Sequence, residues 1–310
     1  MNLFGKRRRP GWLCLNIRRD RVDLSHVLTV GKARPEVLLC ESFHKEGSDS
    51  DTLKRLRKEL DLDRYLCMTL LQPRDYQVLP VDKPEVPAAE VKTAVRWAIK
   101  DLIDFPVETA MVDAVHMPGV AEANRKAQML AVVARNELIA ATVQPFHDAD
   151  IDLSVIDVPE LAQRNLASCL EEEGRGLALL CIGEHGALLT FTSGGELYQS
   201  RAIDISLRDF ESGTNTDELL DRLALELQRS LDHFDRQFRS VAVQRVVVSQ
   251  VPFGERLVEY LNSNLTLPVS LLDLEQFVDF PGVPELRNPL RQSQSLQLIG
   301  AAMRAETVVR

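Results

Sequence analysis

Two groups of three short, mainly apolar segments lie in the two halves of the chain, and short polar or glycine-containing connections join the members of each group. This spacing predicts consecutive strands of one sheet in each half. Alternating helical and strand patterns follow each group, so the order repeats. Such repetition predicts a duplicated α/β fold with two lobes. The strand segments are 12–17, 22–29 and 36–43 in the first half, and 177–182, 187–192 and 196–202 in the second.

The stretch 76–150 has an order of its own, a strand, a helix, two strands and a helix, which predicts a compact subdomain inserted into the first lobe. Its first helix is predicted over 88–104, because apolar residues recur there at steps of three and four and Pro106 ends the pattern. Trp97 lies off this apolar stripe, so two environments stay open for it, the core or the lining of a peptide-binding groove. The stripe consists of Val91, Ala94, Val95, Ala98 and Leu102.

The boundary between the lobes is predicted at the short, charged, glycine-containing segment 171–176, which gives lobe one as 1–170 and lobe two as 171–310. A helix is predicted at 51–60, with Asp51 as its N-cap. The last helix is predicted at about 295–304 and is a candidate for packing back on lobe one.

Composition narrows the class of protein. The chain has 310 residues, 45% apolar and 27% charged, as in ordinary globular proteins of two domains. Its net charge of -9 disfavours wholesale binding of nucleic acid. No segment reaches the roughly 20 apolar residues that cross a bilayer, and the charged run 18–21 leaves no secretory core, so a cytoplasmic location is expected. Five scattered cysteines predict reduced core thiols.

Several sequence runs occur in the order found in one known family. They are Leu-Gln-Pro-Arg-Asp-Tyr-Gln-Val-Leu at 71–79, Ala-Val-Arg-Trp-Ala-Ile-Lys-Asp-Leu-Ile-Asp-Phe-Pro at 94–106, Ile-Asp-Val-Pro-Glu-Leu at 156–161 and Leu-Ile-Gly-Ala-Ala-Met-Arg at 298–304. The ordered series resembles the MshI-type proteins of MSHA-pilus biogenesis, within the PilM-like family of type IV pilus assembly proteins. The resemblance covers nearly the whole chain.

This resemblance implies an α/β fold of the actin-like (ribonuclease H-like) class, duplicated into two lobes, with the inserted subdomain in lobe one. It also implies a scaffold at the cytoplasmic side of the inner membrane. Such a scaffold binds the N-terminal tail of a single-pass PilN-like or MshJ-like membrane protein and so associates with the membrane through that partner. Aromatic anchors with flanking cations suit an extended tail, and the candidates are Trp97, Arg96, Lys100 and Tyr76.

Actin-like ATPases hold phosphate with two glycine-rich hairpin turns, where backbone amides approach the oxygens. The first expected turn, 15–22, contains arginines and no glycine. The second keeps Gly183, but Glu184 and His185 follow it where small residues are expected. After strand 245–249 the adenosine-binding glycines are replaced by Gln250 and Val251. We therefore expect no cofactor and no useful hydrolysis, with Gly183 and Glu184 as the remnant of a site for ATP and magnesium.

Three alternatives stay open beside the scaffold: an active ATPase of the same pilus system, the cytoplasmic part of a type II secretion platform protein, and a degenerate sugar kinase. The six histidines lack the paired spacing of a metal site, and no nucleophile lies beside a base in a recognisable motif. The sequence thus predicts neither a metal site nor catalytic residues.

Overall fold

The computed structural model describes residues 8–118, 127–211 and 216–305. Over these residues the chain divides into two compact units. One unit comprises 8–10, Leu15–Val22 and Ser42–Pro159, and the other comprises Gly11–Cys14, Asp23–Glu41 and 160–305.

Among the strands of the described residues, the six that belong to the two groups of apolar segments lie where the sequence predicts them, within one residue at each end. The strands of these residues are β1 (Trp12–Ile17), β2 (Arg21–Leu28), β3 (Glu36–His44), β4 (Leu66–Leu70), β5 (Tyr76–Asp82), β6 (Ala110–His116), β7 (Gln128–Arg135), β8 (Leu153–Asp157), β9 (Gly176–Gly183), β10 (Gly186–Ser193), β11 (Glu196–Ile203), β12 (Val243–Val248) and β13 (Val269–Leu271).

The helices of the same residues lie between these strands, and short 3₁₀ turns accompany them. They are α1 (Asp49–Leu60), α2 (Val91–Ala98), α3 (Asn136–Asp148), α4 (Pro159–Ala167), α5 (Leu207–Glu211), α6 (Thr216–Gln237), α7 (Gly254–Asn264) and α8 (Pro289–Ala302). Of these, the short helix α5 has no counterpart in the sequence prediction.

Two five-stranded sheets share one topology. Their strand orders are β3-β2-β1-β4-β8 and β11-β10-β9-β12-β13, so in each a three-strand meander is extended by two later strands. The added strands are parallel in both sheets, β4 with β8 and β12 with both β9 and β13. This repetition confirms the duplicated α/β fold that the sequence predicts.

A third sheet has the order β5-β7-β6, and both of its pairings are antiparallel. Helix α2 packs on it and closes a small hydrophobic core of its own. The predicted order of strand, helix, two strands and helix is confirmed over Tyr76–Asp148, although α3 also contacts α1. The connection between β6 and β7 lies largely outside the described residues.

The N-cap of helix α1 differs from the predicted one. The N-cap is Ser48, whose hydroxyl accepts a hydrogen bond from the Asp51 amide at 3.1 Å. The Asp51 carboxylate accepts from the Ser48 amide at 3.3 Å and so closes a reciprocal capping box. Asp51 is therefore the third helical residue and Asp49 the first, so the prediction of Asp51 as N-cap is wrong.

Two helix bounds differ from prediction. The α-helix predicted over 88–104 ends at Ala98, and turns continue the chain to Phe105. The last helix begins at Pro289 instead of about residue 295, because the Asn288 side chain caps it and proline suits the first helical position.

Helix α8 packs against α4. A Cβ atom on Gly300 would lie 2.3 Å from the carbonyl oxygen of Ala162, so the two helix backbones are in direct contact. The Asn165 amide nitrogen donates to the Gly300 carbonyl at 2.9 Å. The glycine in the Leu-Ile-Gly-Ala-Ala-Met-Arg run thus has a packing role.

Candidate functional site

The inserted sheet has two chemically distinct faces. Residues of a strand alternate between faces, and residues paired across strands share one face. Val81, Val112 and Val133 lie on the face that α2 covers, and they belong to its hydrophobic core. The residues between them therefore lie on the opposite side, which we call the second face.

The second face is apolar although part of it is accessible to solvent. Tyr76 pairs with Ala134, which also pairs with Met111, so these three residues form one row across the sheet. The Met111 side chain is 48% exposed, whereas Ala134 is buried. An apolar row of this kind can bind an apolar ligand without loss of a polar partner. The second face consists of the apolar residues Tyr76, Val78, Pro80, Leu130, Val132, Ala134, Met111 and Val115 and the polar residues Asp82, Asp113 and Gln128.

Both edges of this sheet carry features that oppose the addition of another strand. Pro80 lies in edge strand β5 and has no amide hydrogen to donate. In edge strand β6, the Asp113 carboxylate accepts the amide hydrogen of Ala114 at 2.8 Å and an ion pair from Lys92 at 2.9 Å. Proline and charged side chains are common protections of edge strands. The face of the sheet is thus more available for binding than its edges.

The predicted partner-binding residues lie on two sides of the sheet. Tyr76 is half-buried at the start of β5, on the second face. Arg96 and Trp97 lie on α2, with Lys100 in the turn after it, on the side that covers the first face. Trp97 is 59% exposed, which excludes a place in the core. The structure therefore separates Tyr76 from the other three.

Sequence reasoning missed most of the second face. In β7, residues 129–134 are apolar without alternation, which is typical of a strand with apolar contacts on both sides. That run was the available signal for a second binding or packing face. Met111 and Val115 carried a weaker signal, because polar Asp113 lies between them.

The first hairpin turn uses its polar groups internally. The amide of Arg18 donates to the carbonyl of Arg21 at 2.8 Å. Lys45 donates from its ammonium group to the Arg18 carbonyl at 3.3 Å and from its amide to the Asp20 carbonyl at 2.9 Å. Just before the turn, the buried Asn16 accepts a hydrogen bond from Gln72 at 3.0 Å. These contacts engage the Arg18 amide and the Asn16 oxygen within the protein.

The second hairpin turn carries a carboxylate where phosphate would approach. Gly183 and Gly186 pair across the ends of β9 and β10, with Glu184 and His185 between them. The half-buried Glu184 forms an ion pair with Arg208 of α5 at 3.7 Å. A carboxylate beside the turn amides repels an anion, which these amides would otherwise attract. The Glu184 carboxylate therefore disfavours an anion at this turn.

The segment after β12 is filled by protein contacts. Gln250 donates to the Leu272 carbonyl at 2.8 Å, and Val251 is buried. A Cβ on Gly254 would lie 2.8 Å from a methyl group of Leu271, so this glycine accommodates packing between α7 and β13. Gln250, Val251 and Gly254 are thus engaged in contacts within the protein.

Three other features of the described residues bear on function: metal ligands, reactive thiols and membrane-spanning helices. Residues 8–118, 127–211 and 216–305 contain no group of three or more His, Cys, Asp and Glu side chains arranged to hold a metal ion. Burial raises the pKa of the Cys67 and Cys181 thiols to about 12, which keeps them protonated and unreactive. Among the helices of these residues, none has the length and apolar character to span a membrane.

Comparisons with known proteins support the fold. No protein-family model matches the chain, and no curated protein matches it. A solved structure described as a PilM–PilN type IV pilus biogenesis complex is similar, with a TM-score of 0.70, 20% identity, and coverage of 95% of this chain and 98% of that chain. The cytoplasmic domain of EpsL, an inner membrane component of the Vibrio cholerae type II secretion system, matches with a TM-score of 0.50, 12% identity, and coverage of 96% and 98%. With its duplicated sheets and inserted third sheet, the chain has the actin-like fold of these proteins.

Proposed function

We propose that this protein is a cytoplasmic scaffold of MSHA-like type IV pilus biogenesis that binds the N-terminal tail of a PilN-like or MshJ-like inner-membrane protein. The second face of the inserted sheet is the observation that carries the proposal. The fold likeness to a PilM–PilN complex supports it. In this proposal the protein associates with the inner membrane through its partner.

The second face suits a short apolar tail. An extended segment directs alternate side chains to one side, and the open part of the face offers apolar contacts to them. Val78, Val132 and Val115 are half-buried on it, and Met111 is 48% exposed. Tyr76 adds a half-buried aromatic ring that can pack against the tail. Since β5 and β6 resist strand addition, side-chain contacts supply the affinity.

Co-purification with the tail tests the proposal. Met111→Glu places a charge on the second face and should weaken tail binding about tenfold or more. Leu102→Glu is the matched control: Leu102 is 55% exposed in the same subdomain, after α2, and its substitution should leave tail binding unchanged. Circular dichroism verifies that both variants fold. Equal tail binding by Met111→Glu and wild type would refute the proposed site.

We also propose that the protein is not an enzyme and needs no nucleotide. Engaged groups at the first turn, the Glu184–Arg208 pair at the second and the filled segment after β12 support this. A titration with a fluorescent ATP analogue, with and without magnesium, tests it. We expect no saturable binding at micromolar protein. Tight magnesium-dependent binding would favour the active ATPase instead.

The type II secretion alternative rests on the likeness to the EpsL cytoplasmic domain. A parallel pull-down with the cytoplasmic segments of type II secretion inner-membrane proteins separates the two assignments. Selective capture by one of those segments, with no capture by a pilus tail, would favour the secretion role.

A further inference from the structure

We propose that helix α5 is an intramolecular strap that occupies the ligand position at the carboxyl edge of the second five-stranded sheet. It ties the hairpin turn between β9 and β10 to the segment after β12, as a bound ligand would. The inference rests on the proposed absence of nucleotide binding and deepens it, because it names what lies in that position instead. We define the strap as α5 together with Ser206, residues 206–211.

The ligand position follows from the topology of the sheet. β9 and β12 are adjacent and parallel, so their carboxyl ends lie at the same edge. The turn between β9 and β10 leaves this edge after Gly183, and the segment 249–253 leaves it after Val248. Ligands of open α/β sheets bind outside the carboxyl ends of the strands. A ligand at this edge would therefore contact both segments.

The strap contacts both of these segments. The Arg208 guanidinium lies 3.7 Å from the Glu184 carboxylate of the turn. The Phe210 ring stacks on the Phe253 ring, with centroids 4.2 Å apart and an angle of 30° between the planes. Phe253 directly precedes α7, so this stack joins the strap to the segment after β12. A helix of five residues thus bridges the two segments within one compact unit.

Contacts with the rest of the protein hold the strap in its helical form. A helix this short is not stable by itself. The Asp209 carboxylate accepts hydrogen bonds from the amide and the hydroxyl of Ser206, both at 2.7 Å, and so caps the first turn. Ser206 and Leu207 are buried, which fixes the start of the strap. Its other end depends on the stack of Phe210 and Phe253, whose rings are half-buried.

The strap excludes a ligand from this edge and replaces the contacts that the ligand would make. An anion would meet the Glu184 carboxylate, which repels it and already has Arg208 as its partner. A planar ring could stack on Phe253 only after it displaced Phe210. The two segments are therefore held together without a ligand.

Hydrogen exchange of the full chain without nucleotide, measured by mass spectrometry, tests the proposal. Phe210→Ala removes one ring of the stack, so amides of 249–255 should exchange about tenfold faster or more. Amides of 181–188, at the other end of the strap, should exchange about threefold faster or more, because the turn is then no longer held. Val30→Ala is the control, since Val30 is 56% exposed in the same unit but lies between β2 and β3. Unchanged exchange at 181–188 in Phe210→Ala would overturn the proposal.

A double-mutant cycle separates the stack from a general loss of packing. Phe253→Ala should accelerate exchange at 181–188 as much as Phe210→Ala does. The double variant should add little, because each substitution removes the same contact. Phe210→Tyr keeps the ring and should retain the exchange of the wild type. Fully additive effects of the two alanine substitutions would refute the tie through the stack.

Arg208→Ala tests the other end of the strap at a side chain that is 63% exposed, where loss of folding is not expected. It should accelerate exchange at 249–255 about twofold, because an exposed ion pair contributes little. Exchange equal to that of the wild type would exclude a bridge between the two segments. Since no nucleotide is present, these results test the strap alone. Saturable binding of the ATP analogue by the wild type would instead refute the nucleotide-free scaffold, so the two failures are distinguishable.

Discussion

Gly300 brings helix α8 into backbone contact with α4, and a methyl group at this position would break that contact. A Cβ atom would lie 2.3 Å from the Ala162 carbonyl oxygen and 2.9 Å from a methyl group of Leu166. Leu166 can rotate, but the Ala162 oxygen belongs to the backbone of a helix and has no rotamer to change. Gly300→Ala therefore requires the two helices to separate.

The expected change in the free energy of unfolding on Gly300→Ala follows from opposing effects. Alanine is favoured over glycine within a helix by about 1 kcal/mol. Overpacking a closely packed site costs about 1–3 kcal/mol. Separation of the helices also weakens the hydrogen bond from Asn165 to the Gly300 carbonyl, which contributes about 1 kcal/mol. We expect Gly300→Ala to lower the free energy of unfolding by about 1–3 kcal/mol, where an unobstructed helix site would gain stability.

Thermal unfolding monitored by circular dichroism measures this effect. At roughly 2–4 °C per kcal/mol, Tm should fall by several degrees. Gly282→Ala is the matched control, because no heavy atom lies within 4 Å of its added Cβ and its φ is in the ordinary range. That control should leave Tm unchanged or slightly raised. A Tm for Gly300→Ala equal to or above that of wild type would refute the close packing of α4 and α8.

Two further predictions concern titratable groups. A thiol reagent at pH 8 should label exposed Cys169 at least about tenfold faster than Cys67 or Cys181, whose buried thiols have a pKa of about 12. Mass spectrometry of the folded protein after timed labelling measures the three rates. Equally rapid labelling of all three cysteines would contradict the burial of Cys67 and Cys181. The hydrogen bonds from Ser48 lower the pKa of Asp51 below its ordinary 3.8, so their stabilisation is present above that value and is lost as pH falls through the folded-state pKa. Asp51→Asn should therefore lower the urea midpoint at pH 7, and its effect should shrink as pH falls below 3.8. A difference that grows on acidification would reject the capping box.

The paired meanders could be predicted from the sequence because each strand is short, apolar and bounded by a turn residue. In the second meander, Gly194 and Gly195 both have positive φ, as a tight connection between β10 and β11 requires. The apolar stripe of α6 includes the buried Phe234 and Phe238, and the helix ends between them, at Gln237. Local pattern and tertiary packing agree at these elements.

The end of α2 could not be predicted in the same way. Ile103 and Phe105 pack against the subdomain core, so the apolar pattern continues beyond the helix. The backbone leaves the helix after Ala98, and turns bring these side chains to the same core. Spacing alone does not distinguish a continued helix from a turn that follows it. The exposure of Leu102 is the consequence, because its place on the stripe holds only if the helix continues.

The second face could not be predicted either, because the sequence does not give the register between strands. An apolar run such as that of β7 indicates contacts on both sides of a strand, but which residues of β5 and β6 share a face depends on register. Register places Tyr76 beside Ala134 and Met111, and it assigns Trp97 to the other side through α2. The candidates chosen from aromatic and basic character therefore belong to two surfaces.

The three degraded nucleotide elements share a physical feature that argues against a latent ATPase. Groups that would meet a ligand have acquired partners within the protein: the Arg18 amide bonds to Arg21, Glu184 pairs with Arg208, and Gln250 bonds to Leu272. Restoring glycine at one turn would remove one obstacle and leave the contacts at the other two intact. The inserted sheet differs, since its open apolar residues gain contacts only when something binds. The scaffold function that we propose, with a protein rather than a nucleotide as ligand, accounts for both observations.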